Sequence, residues 1–142
     1  MLVLDASVTL AWILPDEASD AAASILSLVV AQGAVVPSIW TLEVGNALIM
    51  AERRARLTTD QAAQGLSLLR ELPIRISPPT LESDFGQVIA LARQHGLTTY
   101  DASYLAAAIR TNLPLATLDQ RLRAAAGIVG VAIVSEVPPV RG

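Results

Sequence analysis

The chain has 142 residues and a formal net charge of −3, which suits one domain with a sizeable core. It is 53% hydrophobic and 16% charged, more apolar than an average soluble domain, so surplus apolar surface is available to a partner. With no cysteine and one histidine, disulfides, thiolate zinc sites and cysteine nucleophiles are excluded; all ten basic residues are arginine, which also excludes a Walker P-loop and a catalytic lysine.

Short apolar runs alternate with longer helical ones. The first strand, 2–4, is closed by Asp5, and helices follow over 7–14 and 17–31. The stretch from Ala21 to Leu42 is uncharged and as long as a membrane span, but Gly33 and Pro37 cut it and alanine and serine dilute its first half. A buried helix and then a buried strand, 35–36, fit it better. A helix over 39–55 carries Glu43, the sole charge between Asp20 and Glu52, and ends on Arg53, Arg54 and Arg56. A helix over 60–72, a strand at 74–77 and helices over 81–95 and 99–111 come next; the last of these holds Asp101 in its first turn. A strand at 115–117 leads to Asp119, a helix over 120–126 and a fifth strand at 131–134. Ser38 and Thr80 are expected N-caps, and Gly96 and Gly127 expected helix-ending glycines. Apolar strands separated by helices indicate a parallel sheet covered on both faces. Residues 1–134 read as one domain and 135–142, with Pro138-Pro139, as a tail. The N-terminus lacks the basic start of a signal peptide, so the cytoplasm is the expected compartment.

Asp5, Glu43, Asp101 and Asp119 stand where the chain has little other reason to place charge. Carboxylates drawn together either take up protons or bind a hard cation, and the set is read as a Mg²⁺ or Mn²⁺ site of a nuclease. Each acid also has an ordinary reading. Asp5 and Asp119 precede helices and suit N-caps, Thr98-x-x-Asp101 suits a capping box, and Glu43 has Asn46 within hydrogen-bonding reach on its own helix. Ser7, Asn46 and Thr117 lie two or three residues from an acid and are candidates to orient a carboxylate. Arg53, Arg54 and Arg56 are candidate phosphate contacts, or simply favourable charges at a helix C-terminus. Without the four acids, nine acidic residues face ten arginines, so an ion-loaded site would not strongly repel a polyanion.

Asp5-Ala6-Ser7, Glu43-Val44-Gly45-Asn46, Thr99-Tyr100-Asp101-Ala102-Ser103-Tyr104-Leu105-Ala106 and Thr117-Leu118-Asp119 together resemble the motifs of PIN-domain ribonucleases, in family order. They resemble more narrowly the VapC toxins of toxin–antitoxin pairs. The resemblance implies a three-layer α/β/α fold around a five-stranded parallel sheet of order 3-2-1-4-5. It also implies a Mg²⁺- or Mn²⁺-dependent RNA endonuclease, a homodimer and a small antitoxin partner; no membrane association is expected, from the interrupted 21–42 stretch. The alternative on the same fold is a non-catalytic RNA-binding or protein-interaction module.

Overall fold

The computed structural model describes residues 1–134; the expected tail, 135–142, lies outside them. Four strands form one parallel sheet: β1 (Leu2–Leu4), β2 (Ala34–Pro37), β3 (Ile74–Ser77) and β4 (Leu115–Ala116), in the order β3-β2-β1-β4. Every residue of β1, β2 and β4 is buried. Successive strand residues point to opposite faces, so both faces of this part of the sheet are covered. The helices that cover them are α1 (Ala6–Ile13), α2 (Asp20–Gln32), α3 (Ile39–Arg53), α4 (Thr59–Glu71), α5 (Ile89–His95), α6 (Thr99–Thr111) and α7 (Gln120–Val129). Helix α6 packs on β1, β2 and β4, while α1 gathers α2, α3 and α4.

The expected fifth strand is not a strand. Residues 131–134 run beside β4 but make one parallel bridge, Leu115 to Ile133, closed by Leu115 N–H to Ala132 O at 2.8 Å and Val134 N–H to Leu115 O at 2.9 Å. The reason is the length of its neighbour: β4 has two residues and offers a single rung. The position is still that of a fifth strand, outside β4.

Several helix ends differ from expectation. Helix α2 starts at Asp20, because Ser19 accepts the Ala22 N–H at 3.1 Å, and Pro15–Glu17 forms a separate 3-10 turn. Ser38 already has helical backbone angles and caps nothing with its side chain, whereas Thr80 accepts the Ser83 N–H at 3.0 Å. Gly96 ends α5 at φ +64° as its position suggests. Gly127 does not end α7, which continues to Val129 and stops at Gly130, φ +79°. Buried Ala125 and Ala126 hold that last turn in place, and Val131 N–H closes it on Ala126 O at 2.9 Å. The helix running through 81–95 is wound as a π-helix over Ser83–Val88. Among the described residues, no helix is long and apolar enough to cross a membrane.

Candidate active site

Strands β1 and β4 are neighbours, paired Val3 to Leu115 and Leu4 to Ala116. Asp5 and Thr117 are therefore the first residues past two adjacent strand ends, and Asp5 N–H bonds Ala116 O at 3.0 Å. Strand order also reverses here, since β2 lies on one side of β1 and β4 on the other. Open α/β sheets form their ligand crevices at such a carboxyl-end switch point.

Asp5 is the anchor. It is 5% exposed and begins α1, yet its side chain makes no capping bond. Instead Oδ2 accepts two hydroxyls, Ser7 Oγ at 2.6 Å and Thr117 Oγ1 at 2.7 Å, the second across 112 residues. Ser7 Oγ also accepts the Leu118 N–H at 3.0 Å, and Thr117 Oγ1 the Asp119 N–H at 3.0 Å. The two hydroxyls thus tie the loop after β4 to the start of α1. Asp119 is half-buried, and its Oδ1 accepts the Leu122 N–H at 3.0 Å, so it caps α7 while standing beside the other acids. At α6 the cap is Thr98, whose Oγ1 accepts the Asp101 N–H at 3.1 Å. The reciprocal half of a capping box is not made there, which leaves the Asp101 carboxylate free of that duty.

Glu43 does not make the bond to Asn46 that was its ordinary reading. It accepts a hydrogen bond from Tyr104 Oη at 2.9 Å, across 61 residues, and Asn46 is exposed. Tyr104 was not among the candidates from sequence. Its spacing from Asp101, three residues along α6, was the available signal, because it puts both on one helical face. A second missed group is Thr9, fully buried, whose Oγ1 accepts Trp40 Nε1–H at 3.0 Å and so fastens the start of α3 to α1.

The electrostatics report the crowding. Burial raises the Asp5 carboxyl above its ordinary value; the Ser7 and Thr117 hydroxyls oppose this and Asp119 adds to it. Burial also raises Glu43, with Asp5 and Asp101 contributing as like charges. Asp101 is raised by burial and then by Asp119 and Asp5, against smaller opposing effects of the Thr98 hydroxyl and of Arg121. Burial, and then the Glu43 carboxylate, push the Tyr104 phenol far up, in keeping with a hydroxyl that donates a hydrogen bond to Glu43. Among the described residues the ion pairs are those of Arg56, with Asp16 at 3.0 Å and Glu17 at 3.2 Å, so no acid of the site has one.

The arginine cluster separates. Arg56 grips both oxygens of Asp16 and fastens the end of α3 to the 3-10 turn, holding the Asp16 carboxyl below its usual range. Arg53 and Arg54 are exposed. Arg53 stands about 15 Å along the α3 axis from Glu43, so it is not part of the acidic cluster.

A parallel α/β domain with Asp5 at its switch point, in electrostatic reach of Glu43, Asp101 and Asp119, is of the PIN type. A PIN domain model matches residues 2–128, and the chain belongs to that family. It is 35% identical over 121 residues to Ribonuclease VapC3 of Pyrobaculum aerophilum, covering 85% of this chain and 91% of that one. Among solved structures, PAE2754 from Pyrobaculum aerophilum matches with a TM-score of 0.66 at 26% identity, over 87% of this chain and 83% of that one. A toxin–antitoxin complex from Klebsiella pneumoniae matches at 0.66 and 19% identity, over 96% and 100%, a likeness of fold.

Proposed function

We propose that this protein is a Mg²⁺- or Mn²⁺-dependent endoribonuclease acting as the toxin of a toxin–antitoxin pair in the cytoplasm. The observation that carries the reading is Asp5: a carboxylate almost fully buried, without a counter-ion among the described residues, and in electrostatic reach of three other carboxylates. An all-oxygen, all-acidic donor set suits a hard divalent cation, and the likeness to a VapC ribonuclease supports RNA as the substrate.

Asp5, Glu43, Asp101 and Asp119 are the residues that would hold the ion. Among the described residues, no group of three or more His, Asp or Glu side chains forms a ready-made metal site. Ligation by fewer carboxylates, completed by water, is the habit of Mg²⁺, which dehydrates reluctantly. When bound, the ion supplies charge stabilisation at a scissile phosphate and lowers the pKa of a water nucleophile. The protein's part is preorganisation. Ser7 and Thr117 hold Asp5 by Oδ2, and the α7 cap holds Asp119 by Oδ1, so each carboxylate keeps its second oxygen for the site. Exposed Arg53 and Arg54 remain candidates for RNA phosphates, while Arg56 is engaged by Asp16 and Glu17.

Apolar surface supports protein partners, a small antitoxin and a second copy of the chain. Leu42 and Ile49 lie two turns apart on the outer face of α3, and Leu81 and Phe85 are more than 70% exposed. An amphipathic antitoxin segment laid on such a surface is the simplest inhibitor. The second reading, a non-catalytic RNA-binding or interaction module, draws on the lack of a ready-made metal cluster. Induced expression in a bacterial host separates the two. Wild type should arrest growth with cleavage of cellular RNA, and Asp101→Asn should do neither; equal arrest by both proteins would favour the non-catalytic module.

A further inference from the structure

Tyr104 is the largest side chain sealed completely inside this protein, at 0% exposure. A phenol at that depth requires a partner for its O–H. The partner is Glu43, whose Oε1 accepts it at 2.9 Å. The two groups differ in freedom. The Tyr104 ring is clamped between α6 and the sheet, since α6 packs on β1, β2 and β4. Glu43 has three side-chain torsions and is half-buried in the middle of α3. Among the described residues, Tyr104 is its one side-chain hydrogen-bond partner. The rigid group therefore fixes the mobile one.

The same arrangement recurs at two other acids. Asp5 is held through Oδ2 by Ser7 and Thr117, and Asp119 through Oδ1 by the Leu122 N–H. In each case one oxygen takes these bonds to the scaffold, and among the described residues no side chain bonds the other. For Asp5 and Asp119 the fastening groups are Ser7 in the first turn of α1, Thr117 just past β4 and the Leu122 N–H in the first turn of α7. Glu43 comes from α3, away from those strand ends, and needs its own fastening point. Tyr104 supplies it from α6, the helix that also carries Asp101.

We propose that Tyr104 is a positioning residue of the acidic site: its hydroxyl fixes Glu43 by one oxygen and leaves the other free to serve a cation. The proposal rests on the metal-site reading above. A merely structural Tyr104 would use Glu43 as its own acceptor, and losing the hydroxyl would affect stability without affecting the ion.

A double-mutant cycle on the full chain distinguishes these, with Mn²⁺ alone as the probe and binding titrated by electron paramagnetic resonance. Tyr104→Phe keeps the ring and the core volume. It should weaken Mn²⁺ binding about 10- to 100-fold, the usual effect of removing a group that orients a ligand. Glu43→Gln should weaken binding at least as much, and adding Tyr104→Phe to it should change binding by less than about twofold, because the hydroxyl acts through Glu43. RNA cleavage by Tyr104→Phe should recover toward the wild-type maximum at high Mn²⁺, a shift in activation constant rather than in maximal rate. Wild-type Mn²⁺ affinity in Tyr104→Phe, or equal losses from Tyr104→Phe in the wild-type and Glu43→Gln backgrounds, would overturn the inference. So would a Tyr104→Phe protein that cannot fold, because the hydroxyl would then be structural. If wild type and Glu43→Gln bind Mn²⁺ equally, the metal-site reading itself falls, and the role of Tyr104 with it.

Discussion

Thr117→Val removes one hydroxyl and almost no volume. That hydroxyl donates to Asp5 Oδ2 at 2.7 Å and accepts the Asp119 N–H at 3.0 Å, in a residue only 1% exposed. A hydrogen bond to a charged group contributes roughly 1.5–3 kcal/mol, and orphaning a buried donor costs roughly 1–3 kcal/mol. The new methyl group recovers about 0.8 kcal/mol, which leaves a net loss of about 2–5 kcal/mol. For a chain of this size that is a fall in melting temperature of roughly 6–15 °C. Thr117→Ser keeps the hydroxyl and loses one methyl group, so it should fall by only about 1 kcal/mol. Urea unfolding followed by circular dichroism, in EDTA at neutral pH, measures all three proteins. The loss should shrink in acid, where Asp5 takes up a proton and has less need of two donors. A Thr117→Val protein within about 0.5 kcal/mol of wild type would refute the reasoning, because surface substitutions alone vary by that much.

The acids should also set the pH dependence of stability in EDTA. Asp5, Glu43 and Asp101 are raised above ordinary values of 3.8, 4.5 and 3.8, so the folded protein binds more protons than the unfolded chain from about pH 4 upward. Their contribution is fully present below those values and is lost as pH rises through the folded ones. Stability should accordingly be higher near pH 5 than near pH 8, and a rise over that interval would contradict the crowding. Asp119 has two duties that separate by substitution: Asp119→Ala loses the α7 cap, about 1 kcal/mol, whereas Asp119→Asn keeps it. Melting curves with EDTA or Mg²⁺ should show the ion stabilising wild type by roughly 2.7 kcal/mol at a hundredfold excess over its dissociation constant, and stabilising both variants less. Gly65→Ala should destabilise, because a Cβ there would meet three side-chain carbons of Ile13 at 2.7, 2.9 and 3.0 Å. Gly45→Ala, with nothing within 4 Å, should instead show the gain of about 1 kcal/mol expected in a helix, and thermal melts of both compare the two sites.

The four acids stood out in sequence as candidates because each interrupts, follows or opens an apolar run. A carboxylate after Leu2–Leu4, or alone on the long apolar stretch of α3, has few other uses. Ser7 and Thr117 were legible by proximity, since a hydroxyl two residues from an aspartate can turn back onto it. The same rule misled at Asn46. Helical spacing brings it near Glu43, but α3 turns Asn46 outward to solvent. The partner that Glu43 uses, Tyr104, is 61 residues away, and only the packing of α6 on the sheet brings it close. Local grammar held for half of the box at α6, where Thr98 caps the helix, and failed at α7, where Gly130 ends the helix in place of Gly127 because buried alanines carry it onward. Arg56, a candidate for either a phosphate contact or a helix-end charge, is bonded to Asp16 and Glu17, 40 and 39 residues away, partners that no local pattern indicates. The fifth strand was right in place and wrong in kind, since a sequence does not show how many rungs its neighbour offers.

The central claim is that the four carboxylates act together through a divalent ion on RNA. The most direct test is cleavage of a mixed RNA pool by the purified, antitoxin-free protein, mapped at nucleotide resolution with Mg²⁺, Mn²⁺ or EDTA, for wild type, Asp5→Asn and Asp101→Asn. Wild type should cut at defined sites only when a divalent ion is present, and neither variant should cut while both remain folded. Undiminished cleavage in EDTA, or by either variant, would contradict it.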